Sequence, residues 1–87
     1  MQQLLIFRFF TETKSMTKTA ERMNLKQPTV SFHLKKLEES VGVPLYEKNE
    51  DDIILTSAGK VMYNYAHEIV GLKEEAERVM KDFQKHK

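Results

Sequence analysis

Apolar side chains open the chain in a helical rhythm. Leu4, Phe7 and Phe10 recur at every third residue, with Leu5 and Phe9 beside them, and this stripe predicts an amphipathic helix over residues 2–14. A second helix is expected from Thr17, whose hydroxyl can accept from the free amides of a first turn, to Met23, burying Ala20 and Met23. Asn24 suits a helix end in the left-handed conformation. The next helix starts near Gln27 and Pro28, because a proline in the first turn forfeits no hydrogen bond. Val30, Leu34, Leu37 and Val41, at spacings of four, three and four, draw its buried stripe. Gly42 ends it and Pro44 prevents continuation. Two helices across a short turn make a helix-turn-helix pattern.

The period changes over residues 45–55. Leu45, Tyr46 and Glu47 on one side, and Ile53, Ile54 and Leu55 on the other, flank a polar stretch from Lys48 to Asp52 and read as a β-hairpin, or wing. No glycine lies between them, so a longer loop is expected rather than a tight turn. From a cap at Thr56 a long helix runs to the C-terminal end. Its apolar positions Ala58, Met62, Tyr65, Ile69, Leu72, Ala76, Val79 and Phe83 alternate spacings of four and three, a heptad repeat. About 28 helical residues reach about 42 Å, more than the rest of so small a domain can cover. The expected cover is the same helix of a second copy. The division that follows is a winged helix-turn-helix over residues 1–57 and a dimerisation helix over 58–87.

Composition narrows the chemistry. The chain has 87 residues, one domain's worth, and no cysteine, which excludes thiol catalysis, disulfides and thiolate metal sites. The net charge of +1 hides an asymmetry: residues 1–48 carry eight basic and five acidic side chains, residues 49–87 six basic and eight acidic. No apolar run approaches the roughly 20 residues of a membrane span, and a cytoplasmic protein is expected. His33, His67 and His86 are far apart in sequence, and no metal or other cofactor is expected. Glu38 with Glu39, and Glu74 with Glu75, are adjacent on helices and point apart. Glu74, Glu75 and Glu77 read as solvation of the long helix. No enzyme is expected.

Three stretches resemble the DNA-binding region of the LysR-type transcriptional regulators. They are Ser15 to Met23, then Leu25-Lys26-Gln27-Pro28-Thr29-Val30-Ser31 running on to Leu37-Glu38, and Gly42-Val43-Pro44-Leu45-Tyr46-Glu47-Lys48 with Leu55-Thr56-Ser57-Ala58-Gly59. The resemblance spans nearly the whole chain without a gap. It implies a mainly α winged helix-turn-helix that binds double-stranded DNA as a homodimer through its long helices and regulates transcription. It also implies a much larger effector-binding domain beyond this chain, so no small-molecule effector is expected here. An excised segment is favoured over a naturally short relative.

The outer face of the third helix is readable without the family. Gln27, Ser31 and Lys35 stack at a spacing of four, away from the buried stripe. Gln27 can pair bidentately with adenine, and Ser31 can serve either base type. The resemblance places base contacts at Gln27, Pro28, Ser31 and Phe32. Phe32 stands open between two readings, contact with a thymine methyl or partial burial against a neighbouring helix. Lys18, Lys26, Lys35 and Lys36, with Arg22, supply a positive field for phosphates, and Thr17 and Thr29 can donate hydrogen bonds to phosphate oxygens. Each lysine alone is as readily a solvated surface residue.

Two departures from the family pattern matter. Lys26 occupies the helix N-cap position, where serine or threonine is usual; lysine caps poorly and faces the positive end of the helix dipole. The wing carries Glu50, Asp51 and Asp52 where an arginine is common near position 51. Carboxylates are repelled by the negative potential of a minor groove, so the wing is expected to add little affinity, leaving Lys48 as its basic contact. The competing reading is a coiled-coil interaction module that has lost DNA binding, kept open by the near-neutral charge and the acidic wing.

Overall fold

The computed structural model describes residues 2–50 and 52–84; Asp51 and His86, singled out above, lie outside the described residues. The elements run α1 (Gln2–Thr13), α2 (Met16–Met23), α3 (Gln27–Val41), β1 (Tyr46–Asn49), β2 (Asp52–Leu55) and α4 (Ser57–Gln84). This is the mainly helical winged helix-turn-helix read from the sequence, with a long fourth helix.

Helix α1 packs against α2, α3 and α4 at once. Cover on several sides widens its buried arc beyond a single stripe: Ile6, Phe7 and Phe10 are fully buried, and Leu4 packs only at the margin. The expected stripe therefore missed Ile6. From α3, Val30, Leu34 and Leu37 complete the core. Val41, expected to join them, is the last residue of α3, lies past that cluster and is exposed.

Helix α2 begins earlier than expected. Ser15, extended at φ −144° and ψ 123°, is its N-cap, and its hydroxyl accepts from the Lys18 amide at 3.1 Å. Thr17 sits inside the first turn instead. The fully buried Thr19 hydroxyl donates to the Ser15 carbonyl at 2.7 Å and lies 3.1 Å from the Thr13 hydroxyl. A hydroxyl so paired is buried at little cost. Asn24 closes α2 in the left-handed region, at φ 57° and ψ 47°, as expected. Lys26, at φ −85° and ψ 151°, occupies the N-cap of α3 and makes no side-chain capping bond.

The hairpin turn departs from expectation. Asn49 pairs with Asp52 across an antiparallel register that runs to Tyr46 with Leu55, so only two residues separate the strands. Glu50, at φ 57°, takes the left-handed conformation that glycine would adopt freely. At its root the hairpin is tied on three sides. The Glu38 carboxylate accepts from the Leu45 amide at 2.7 Å, and the Thr56 hydroxyl donates to the Pro44 carbonyl at 2.8 Å. Tyr46 stands edge-on to Phe10, with ring centroids 4.9 Å apart.

Thr56 also caps α4, accepting from the Gly59 amide at 3.0 Å. Gly59 is required by contact: a β-carbon there would run into the Leu45 carbonyl. Gly59, Ala66 and Val70 are the buried residues of α4, which packs against α1. The Tyr63 hydroxyl donates to the Glu12 carboxylate at 2.9 Å. Arg8 spans the same contact, 3.3 Å from Glu12 and 3.8 Å from Glu74. Glu74 is thus a partner of α1 as well as a solvated side chain. Beyond Gly71 every described residue is exposed, which draws the molecule out to 54 × 25 × 19 Å.

Candidate nucleic-acid interface

With Val30, Leu34 and Leu37 turned inward, α3 presents two neighbouring ridges outward. One carries Gln27, Ser31 and Lys35, and the other Pro28, Phe32 and Lys36; all six are exposed. The spacing of four stacks each set along the axis. Thr29 is half-buried between α3 and its surroundings.

The first ridge is ordered from α2. The Gln27 side-chain amide donates to the Thr17 hydroxyl at 2.6 Å. That bond uses one of the two amide hydrogens, leaving the other donor and the carbonyl oxygen to engage a base edge. Thr17 keeps its own hydroxyl hydrogen for an outside acceptor. The expectation of Thr17 as a helix cap is thereby corrected, and the residue instead positions Gln27.

Opposite this ridge stands the hairpin. Thr17, Gln27, Ser31 and Lys48 line one groove together with Lys14, Ser15, Met16, Tyr46 and Ile53, and Pro28 joins an adjoining hollow. The structure so brings four of the expected residues together around a cleft between helix-turn-helix and wing. Lys18 and Lys26 lie exposed on α2 and at the start of α3. Lys35 borders a separate hollow with Gly42, Val43 and Pro44. Lys36 pairs with Glu39 at 3.7 Å, and its ammonium stands 5.6 Å from the centre of the Phe32 ring. Arg22 lies over Phe9, 4.6 Å from the ring centre, and so is drawn towards α1.

Among the described residues, none of Lys14, Lys18, Lys26, Lys35 and Lys48 takes part in an ion pair. Glu47, Glu50 and Asp52 are exposed on the hairpin. The cleft lining therefore carries the cations Lys14 and Lys48, while Glu50 and Asp52 stand at the hairpin tip, outside that lining. No cluster of metal-ligating side chains occurs among the described residues, and no described helix is long and apolar enough to cross a membrane.

Sequence reasoning missed two residues. Lys14, held at φ 53° just before the Ser15 cap, lines the cleft. A cap assigned to Ser15 instead of Thr17 would have exposed it as the basic residue of the preceding turn. Glu38 was read as one of two diverging carboxylates, yet it anchors the hairpin at Leu45 and faces Tyr46. Burial, and then the Glu38 charge, push the Tyr46 phenol above its ordinary value of 10.0. Within its own helix nothing announced that contact.

On α4 the expected heptad positions divide. Ala58 and Met62 pack against the core of their own chain. Tyr65, Ile69, Leu72, Ala76, Val79 and Phe83 are exposed, Leu72 at 64% and Phe83 at 70%.

Residues 1–60 match the family model described as bacterial regulatory helix-turn-helix protein, lysR family. The chain belongs to the lysR family. The curated relatives of this LysR-type chain include the uncharacterized HTH-type transcriptional regulator YwqM of Bacillus subtilis. It is 41% identical over 76 residues, covering 87% of this chain and 26% of the relative. The HTH-type transcriptional activator CmpR of Synechocystis is 37% identical over 84 residues, covering 97% of this chain and 28% of the relative. This LysR-type chain thus spans about a quarter of the length of those relatives. Among solved structures, the BenM DNA-binding domain in complex with catB site 1 DNA superposes with a TM-score of 0.88 at 27% identity, over 93% of this chain and 90% of that one. The CbnR DNA-binding domain in its DNA complex gives 0.84 at 28% identity, over 93% of each chain.

Proposed function

We propose that this LysR-type domain binds a two-fold-related double-stranded DNA site as a homodimer and thereby regulates transcription. The observation that carries the reading is the Thr17–Gln27 hydrogen bond. It pre-orients an amide on the outer face of α3 while leaving a donor and an acceptor free, the pattern an adenine edge in a major groove requires. The unpaired lysines around the cleft support it by supplying charge for phosphates. The relatives solved in complex with DNA support it independently.

In this reading Gln27, Pro28, Ser31 and Phe32 meet bases. Thr17, Thr29, Lys18, Lys26, Lys35, Lys36 and Lys48 meet the backbone. Lys26 lacks a capping bond, and a phosphate seated at the start of α3 would satisfy its charge. Residues 1–57 form the binding unit and residues 58–87 the dimerisation helix, whose exposed seam from Tyr65 to Phe83 finds its cover in the same helix of a second copy. Association would hold two α3 helices at a fixed separation, and so set half-site spacing.

The test is selection from a randomised duplex pool at two salt concentrations, followed by sequencing of the bound fraction. An enriched inverted repeat whose binding falls steeply with salt is the expected result. No retention at either salt would overturn the reading and leave an association module.

A further inference from the structure

Phe32 is the feature that DNA binding in general does not account for. It is a large apolar side chain, 57% exposed, in the middle of the face α3 offers outward. The neighbouring-helix burial that a bland role would need is absent. Its contacts instead hold the ring in place: His33 stands edge-on at 5.8 Å between centroids, and the Lys36 ammonium lies 5.6 Å from the ring centre. Pro28, one turn earlier and also exposed, extends the same apolar ridge. Beside it runs the polar ridge of Gln27 and Ser31.

Resting on the DNA-binding reading, we infer that Phe32 selects thymine by packing against its 5-methyl group. The chemistry of the major groove leaves one apolar target. Adenine, guanine and cytosine present donors and acceptors there, and a phenyl ring over any of them removes water from a polar group without replacing its hydrogen bond. Thymine alone adds a methyl. Lys36 strengthens the arrangement, because a cation over the ring also stands where the groove wall carries phosphates. The site should therefore hold a thymine next to the base pair read by Gln27 or Ser31, once in each half-site.

The test takes the duplex enriched from the randomised pool and replaces its thymines one at a time with deoxyuridine, which lacks only the methyl. Binding is measured for the full chain and for Phe32→Ala. Because Phe32 is exposed, that variant should keep its fold, checked by helical circular dichroism. At one thymine per half-site the wild-type chain should lose about four-fold in affinity, the equivalent of one buried methylene. Phe32→Ala should bind thymine and deoxyuridine duplexes equally there. If the wild-type chain binds the enriched repeat but is indifferent to every replacement, or if Phe32→Ala still discriminates, the assignment to Phe32 falls while DNA binding stands. If no sequence is enriched, both readings fall together.

Discussion

Helix α3 reaches the cleft with Val30, Leu34 and Leu37 buried beneath it, at 0%, 1% and 6% exposure, whereas no described residue of β1 or β2 is fully buried. The hairpin forming the opposite wall is held mainly at its root. Their chemistry differs too: α3 presents an amide, a hydroxyl and lysines, while the hairpin turns Tyr46, Lys48 and Ile53 to the cleft and carries exposed Glu47, Glu50 and Asp52 outside its lining. A cleft whose two walls are so unlike teaches where each property resides. The core-backed helix carries the rigidity and the proposed base contacts, and the hairpin is an appended arm.

The largest effect that could break the comparison is on stability. Leu34→Ala should cost about 2–5 kcal/mol, since it empties a fully enclosed site beneath α3. Ile54→Ala, on the exposed face of β2, should stay within about 0.5 kcal/mol. Urea unfolding of both variants measures the gap. Equal costs would mean that the hairpin belongs to the core.

Glu38 tests the joint between the walls. Glu38→Ala leaves the Leu45 amide without its acceptor and should cost about 1–3 kcal/mol. The Tyr46 phenol adds a pH signature. Its folded value is raised, so the fold favours the neutral form; that contribution is complete below 10.0 and is lost as pH rises through the raised value. Tyr63, raised chiefly by burial and then by its bond to Glu12, behaves alike at the α1–α4 contact. Unfolding measured above pH 10 should therefore ease in the wild-type chain and less so in Tyr46→Phe. A Tyr46→Phe profile identical to wild type would remove Tyr46 from the account.

Glu50 carries the next smaller effect. A non-glycine residue at φ 57° bears a conformational cost, and Glu50→Gly should gain about 1 kcal/mol, read as a raised melting temperature. This turn also marks a limit of legibility. Strand positions and the helix-turn-helix were readable because apolar periodicity reports burial directly. The two-residue turn was not, because the strain at Glu50 is offset by pairing and by the root contacts of Glu38 and Thr56, which sequence distance conceals. Ser15 was overlooked for a related reason: Thr17 is also a capping residue, and the bonds of Thr13 and Thr19 to the Ser15 backbone favour Ser15 only in the folded chain. That Gln27 and Ser31 share the outer face of α3 was legible from spacing alone. The positioning of Gln27 by Thr17, ten residues away, was not.

The finest prediction concerns charge, and it asks whether the acidic hairpin tip keeps the hairpin from the DNA. Each phosphate neutralised adds roughly one unit to the dependence of log affinity on log salt. Lys35→Ala should lower that slope by about 1 and weaken all sequences alike, and Lys48→Ala should do the same if the hairpin meets the backbone. Asp52→Lys exchanges repulsion for attraction at the tip. Should the carboxylates alone hold the hairpin off, the slope should rise by about 1 and binding should tighten at low salt. Should the slope stay fixed, the distance is set instead by the root, where Glu38, Thr56 and Tyr46 fix the angle of the arm. Glu38→Ala combined with Asp52→Lys then separates the two causes, because only a hairpin restrained by its root would regain a contact in the double variant that it lacks in Asp52→Lys alone.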